Sequence, residues 1–230
     1  MKKIAIIAAM EQELSAIKNK FTKIEEKTLR DLKYYVGRLN DKEVILIRSG
    51  IGKVNAARIT QMLIDKFDLD YIINIGTAGA TNENLEIGDI VIGENLVQHD
   101  FDTTAFGDEK GYITGTGKIF KSDMALISKY KSYVEQNIKK CNVIIGTIAS
   151  GDIFCTEQWM KEKIRSKFNA DCVEMEGAAI AQICKLNNIP FIVIRSISDK
   201  PNGKNHIDFN EFIEMASKRC ADIIWECERN

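Results

Sequence analysis

Lys3-Ile4-Ala5-Ile6-Ile7-Ala8-Ala9-Met10-Glu11-Gln12-Glu13 opens the chain with an unbroken apolar run that ends on carboxylates. Behind Met1-Lys2-Lys3 the run imitates the basic and apolar parts of a signal peptide. It is short for that role, and Glu11 and Glu13 stand where a cleavage site should be, so it reads as a buried first strand. Working outward, apolar β-branched stretches alternate with stretches of helical period along the whole chain. That is the pattern of a sheet covered on both faces by helices.

The fold class is therefore α/β, and residues 1–230 form a single domain, because no repeat, low-complexity segment or proline-rich linker divides them. Strands are expected at Lys3–Ala9, Lys33–Leu39, Glu43–Arg48, Tyr71–Ile75, Asp89–Gln98, Val143–Ala149 and Phe191–Ser196. Asn40-Asp41 is a hairpin signal, so part of the sheet should be antiparallel. Helices are expected after Gly52, over Ser122–Asn137, Glu157–Phe168, within Glu176–Asn187, and from Asp208 onward. In the last, Phe209, Phe212, Ile213, Ala216, Cys220, Ile223 and Ile224 define one buried stripe, with Asp208 and Glu211 placed for a capping box.

Composition narrows the function. With 230 residues, 45% of them hydrophobic, the chain can bury a sizeable core. Lys plus Arg number 32 against 33 Asp plus Glu, so no basic field exists to hold nucleic acid. No run approaches the ~20 apolar residues of a membrane span. The six cysteines form no CxxC pair and read as reduced core residues of a cytoplasmic protein. Two histidines and no Cys/His cluster offer no metal site, and no cofactor is expected.

The glycine motifs are not nucleotide-phosphate loops. Gly50-Ile51-Gly52-Lys53-Val54-Asn55 follows a strand and opens a helix, which presents backbone N–H groups to a ligand. A dinucleotide fingerprint would want a small residue at Asn55 and an acid after the next strand, where none stands. Asn74-Ile75-Gly76-Thr77-Ala78-Gly79 ends another strand and reads as a tight turn supported by glycine. Strand ends are where α/β sheets bind ligands, which makes Thr77 a candidate contact. Between Asp100 and Lys121 lies a periodless stretch whose Phe101, Phe106 and Tyr112 mark it as a loop that packs on something.

Among the acids, Glu13 has two readings, first-turn helix charge or catalysis. Glu176 stands at the mouth of a small-residue apolar helix, unusual company for a solvated carboxylate, and a ligand role fits it better. Asp199 ends a strand, either as a functional group or paired with Arg195 or Lys200.

Ala9-Met10-Glu11-Gln12-Glu13, Ser49-Gly50-Ile51-Gly52-Lys53-Val54, Gly76-Thr77-Ala78-Gly79, Ser150-Gly151-Asp152-Ile153-Phe154, Val173-Glu174-Met175-Glu176 and Arg195-Ser196-Ile197-Ser198-Asp199 occur in order across the chain. Together they resemble the purine nucleoside phosphorylase/uridine phosphorylase superfamily, and within it the methylthioadenosine/S-adenosylhomocysteine nucleosidases. The resemblance implies a three-layer αβα sandwich around a mixed sheet, working as a homodimer. It also implies hydrolysis of methylthioadenosine and S-adenosylhomocysteine in methionine salvage, with 5'-deoxyadenosine a further substrate. By it Glu13 is the general base, Asp199 the general acid, and Glu176 with Met175 the ribose-binding pair. Phe154 and the backbone of Cys155 hold adenine, with Gly79 and Ser198 in the same pocket. Met10, Ile51 and Phe209 contact the ribose and its 5'-substituent, while Arg195 and Thr77 surround the attacking water. Phe106 closes over the 5'-tail of a substrate held by the other subunit.

Thr77 replaces a usual serine and Cys155 a usual isoleucine, and Asp108 and Thr114 lie in the tail loop where aromatics or prolines are frequent. Rival readings are a phosphorylase of the same superfamily, a silent nucleoside sensor and an aminodeoxyfutalosine hydrolase. The phosphorylases carry Gly-Asp-Pro-x-Arg after the first strand, where this chain has Ala8-Ala9-Met10-Glu11-Gln12.

Overall fold

Because Ile4 to Ala8 carry no polar side chain, both faces of strand β1 (Lys2–Ala8) must be covered, and all five residues are at most 1% exposed. In the computed structural model, which describes residues 1–137, 141–200 and 205–229 (the side chains at 205–208, 210 and 211 excepted), β1 lies central in a ten-stranded mixed sheet. It runs parallel to β4 (Lys42–Arg48) on one side and to β5 (Tyr71–Ala80) on the other. β3 (Leu32–Leu39) returns antiparallel to β4 through the Asn40-Asp41 turn, with Asn40 at φ 54°, and β2 (Ile24–Leu29) forms the edge.

Beyond β5 the sheet curls onto itself. β5 pairs in parallel with β10 (Phe191–Asp199) and antiparallel with β9 (Cys172–Glu174). β10 lies antiparallel to β6 (Ile90–Gln98), β6 parallel to β8 (Val143–Ser150), and β8 parallel to β9, which closes the ring; β7 (Phe120–Lys121) adds to β6.

The helices make the outer layers. α2 (Lys53–Lys66) and α5 (Gly177–Leu186) pack through Ala56, Ile59, Leu63 and Ala178 to Ala181 on one face. α1 (Glu11–Lys18), α3 (Met124–Asn137) and α6 (Asn205–Arg229) cover the other through Leu14, Ile17, Ile127, Tyr130, Cys220 and Ile224. α4 (Gln158–Phe168) seats Ile164 on a third cluster with Val97, Ala149 and Val173. This is the expected αβα arrangement. Ile213, Ala216, Cys220, Ile223 and Ile224 of the α6 stripe are buried, and Phe209 and Phe212 are half-buried. The capping expected of Asp208 and Glu211 lies outside the described residues. All six cysteines are free, and all but Cys141 are buried.

One expectation fails instructively. Gly76-Thr77-Ala78-Gly79 is no turn: β5 continues to Ala80, fully buried, and neither glycine has positive φ. β10 also runs on to Asp199, holding Arg195 opposite Gly76 and Ser196 opposite Thr77. Glycine serves close approach here. A Cβ on Gly76 would lie 2.9 Å from a Glu13 carboxylate oxygen, and one on Gly79 would lie 2.7 Å from an Asp199 oxygen.

Candidate active site

The ends of β1, β5, β9 and β10 converge on one cleft, where Ala9, Thr77 to Gly79, Val173, Glu174, Ser198 and Asp199 meet. Glu13 enters it from the first turn of α1. Its Oε2 accepts hydrogen bonds from the Ala9 and Met10 amides, each at 3.0 Å, and its Oε1 accepts from the Thr77 amide at 3.0 Å and the Thr77 hydroxyl at 3.4 Å. The residue is 2% exposed. Burial raises its pKa above the ordinary carboxyl value, against the lowering pull of the Arg195 charge and of those amides. A carboxylate so raised and so oriented suits a general base.

Glu176 precedes α5 and accepts the Gly52 amide at 2.8 Å. Burial, and then the neighbouring Glu174 charge, push it up to about 8. Gly52, at φ 98°, supplies the backbone turn that few other residues adopt and points its N–H at this carboxylate. Glu174, two residues before Glu176, accepts the Glu176 amide at 3.1 Å and the Gly177 amide at 2.8 Å, and it also pairs with Arg195 and Ser150. Arg195, 1% exposed, lies behind the cleft, bound to Glu174 and Asn74.

Asp199, also buried, ends β10. Its Oδ1 accepts the Ser198 hydroxyl at 2.9 Å and its Oδ2 the Lys161 ammonium at 2.5 Å. The bland partners suggested by sequence, Arg195 and Lys200, are engaged elsewhere, Lys200 with Glu86. The walls are apolar: Met10, Ile51, Ile153, Phe154, Cys155, Val173, Met175 and Phe209. Phe154 and Phe209 meet edge to face at 5.4 Å and 73°. The Cys155 thiol, pushed up to about 11 chiefly by burial, is a neutral part of that wall.

Of the residues expected from sequence, Met10, Glu13, Ile51, Thr77, Gly79, Phe154, Cys155, Met175, Glu176, Ser198, Asp199 and Phe209 line this one cleft. Arg195 lies behind it, bonded to Asn74 and Glu174. Phe106 does not line it, and stands 88% exposed on the short turn Thr104–Phe106. Sequence reasoning missed Glu174 and Lys161. Glu174 shares a segment with Glu176 and was within reach of the same buried-charge argument; Lys161, on a helix rich in charge, gave no signal. Buried carboxyl groups around an apolar slot can move protons on to and off a neutral ligand held between them.

The chain is similar to known proteins over nearly its whole length. The family model of the phosphorylase superfamily matches residues 3–228. The 5'-methylthioadenosine/S-adenosylhomocysteine nucleosidase of Staphylococcus aureus (strain bovine RF122 / ET3-1) is 45% identical over 222 residues, 96% of each chain. The structure of S-adenosylhomocysteine nucleosidase from Streptococcus pyogenes in complex with 5-methylthiotubericidin superposes with TM-score 0.94 at 39% identity, covering 100% of this chain and 97% of that one. The futalosine hydrolase of Helicobacter pylori strain 26695 superposes with TM-score 0.94 at 32% identity, covering 99% and 97%.

Proposed function

Because the chain belongs to the phosphorylase superfamily, and within it to the 5'-methylthioadenosine/S-adenosylhomocysteine nucleosidases, we propose that its cleft hydrolyses the N-glycosidic bond of both nucleosides to adenine and the free 5-thio-substituted ribose. The observation that carries water over phosphate is Glu13. Beside Gln12, which stands at the position of the phosphorylases' arginine, Glu13 sets a buried carboxylate into the cleft, and the nearby Arg195 is taken up by Glu174. A negative wall repels phosphate and admits water.

In this reading Asp199 gives a proton to N7 of adenine as the C1'–N9 bond breaks and N9 keeps the bonding pair. Water adds its oxygen to C1', and Glu13 takes the proton that water loses. Solvent returns a proton from Glu13 to Asp199 after release, so each turnover consumes one water. Glu176 holds the ribose hydroxyls and fixes the sugar, while Glu13 and Asp199 divide the work in the two-carboxylate manner of glycoside hydrolysis. Phe154 stacks on adenine, the Cys155 backbone bonds it, and Gly79 and Ser198 complete that pocket. Met10, Ile51, Met175 and Phe209 pack on the thio-sugar, and Thr77 and Arg195 orient the water. The enzyme works as a homodimer in the cytoplasm, in methionine salvage.

A second reading, an aminodeoxyfutalosine hydrolase, is favoured by the likeness to the Helicobacter futalosine hydrolase. Incubation with methylthioadenosine, S-adenosylhomocysteine, 5'-deoxyadenosine and aminodeoxyfutalosine in phosphate-free buffer tests all of this. Adenine and free thioribose from the first two are expected, at rates that added phosphate leaves unchanged. A ribose 1-phosphate product would make the enzyme a phosphorylase, and turnover confined to aminodeoxyfutalosine would favour the second reading.

A further inference from the structure

Of the lysines on α4, Lys163 and Lys167 face solvent, whereas Lys161 is 0% exposed. Lysine is seldom fully buried unless its charge is met. Lys161 Nζ donates to Asp199 Oδ2 at 2.5 Å and approaches the carbonyl of Lys200, the next residue, at 3.4 Å. It therefore ties down the end of β10 at two points. The contact is possible because β5 carries glycine opposite it. A Cβ on Gly79 would stand 2.7 Å from Asp199 Oδ2 and 2.8 Å from Lys161 Nζ. Ser198 holds the other carboxylate oxygen at 2.9 Å, so both oxygens of Asp199 are fixed by donors.

The pair is asymmetric in a way a purely structural ion pair need not be. Asp199 lines the cleft, whereas Lys161 does not and touches the carboxylate that does. Buried pairs that merely fill space are often replaceable by apolar residues of similar volume. This one ends on the group that must face the ligand.

We propose that Lys161 is a positioning residue for proton transfer to the departing base, acting through Asp199; the inference rests on the reading of Asp199 as the acid. As Asp199 gives up its proton, the electrons of the O–H bond stay on the carboxyl group and the base nitrogen's lone pair takes the proton. Negative charge then forms on Asp199 directly against the ammonium, in a site sheltered from water, where the attraction is strong and already oriented. Lys161 neither gains nor loses a proton in the step. Its hydrogen bond also keeps the carboxyl from rotating away from the base.

A double-mutant cycle on methylthioadenosine hydrolysis tests this. Asp199→Asn is expected to lower kcat by about 10²–10⁴-fold, as loss of a general acid does. Lys161→Met should lower kcat by roughly 10- to 100-fold with KM changed less than about threefold, while Lys161→Arg stays within about tenfold of the unmutated enzyme. The double variant should turn over no more slowly than Asp199→Asn alone, because the proposed effect of Lys161 on the reaction runs through the Asp199 carboxyl. Losses that multiply in the double variant, or full kcat in Lys161→Met beside a slow Asp199→Asn, overturn the role of Lys161 and leave the acid in place. Full kcat in Asp199→Asn overturns the acid itself, and this inference with it. Should Lys161→Met yield no folded protein, Lys161→Gln, which keeps a donor but not the charge, goes through the same cycle.

Discussion

Glu176 carries its charge at a cost where it is buried. Its folded value of about 8 stands above the ordinary 4.5, so between those values the folded chain holds a proton that the unfolded chain has released. Stability from this group is full below the unfolded value and is lost as pH rises through the folded one. Glu13, raised in the same direction by burial, adds to the trend. The melting temperature of the unliganded protein should therefore fall as pH rises from about 5 to about 9. Glu176→Gln, neutral throughout, should flatten that fall. A slope unchanged in the variant would mean that Glu176 is not the group being titrated. Much at this scale was legible in the sequence, since a carboxylate set among glycine and alanine at Glu176-Gly177-Ala178-Ala179 is conspicuous. Lys161 was not, because a lysine on a charged helix looks solvated until the fold turns it inward.

At the scale of the element, the departures from expectation share a cause. Strands that are apolar throughout, such as β1 and β10, announce themselves; β2 does not, since Glu25, Glu26, Lys27 and Thr28 at the sheet edge are all exposed. β7 and β9 span two and three residues, too short for any period to register. The sequence pattern ends β5 early because glycine there resembles a turn, whereas the strand runs to Ala80. There it is the absence of a side chain, not freedom at φ, that matters, and this gives a prediction. Gly79→Ala would put a methyl group 2.7 Å from Asp199 Oδ2 and 2.8 Å from Lys161 Nζ, closer than real contacts allow. Strand pairing to β9 and β10 holds the backbone, so the ion pair must yield. Displacement of a reacting group by about 1 Å costs on the order of 100-fold, and overpacking destabilises by about 1–3 kcal/mol. Steady-state kinetics and melting of Gly79→Ala should show the larger loss in kcat. Unchanged turnover would mean the strand end relaxes around the methyl group.

For the whole molecule, the cleft of a single chain has an apolar mouth open to water. Ile51 is 53% exposed, Ile153 43% and Phe154 42%, and Val54, in the first turn of α2, is 79% exposed. Phe106, at 88%, projects from the irregular segment after β6 without reaching its own chain's cleft. In the homodimer proposed above these surfaces would cover one another, and Phe106 would close over the 5'-tail of the substrate bound by the partner. Burying a thioalkyl tail then contributes about 0.8 kcal/mol per methylene, and excluding bulk water strengthens the hydrogen bonds to Glu176 and Asp199. Complementation reads the geometry directly. Glu13→Gln and Phe106→Ala chains, each impaired as homodimers, would form a heterodimer with one doubly damaged site and one wholly intact site. Mixed under conditions of subunit exchange, the two preparations should therefore exceed the sum of their separate activities. If mass spectrometry confirms exchange and activity stays additive, Phe106 serves its own subunit or none, and each cleft is closed by something other than its partner's loop.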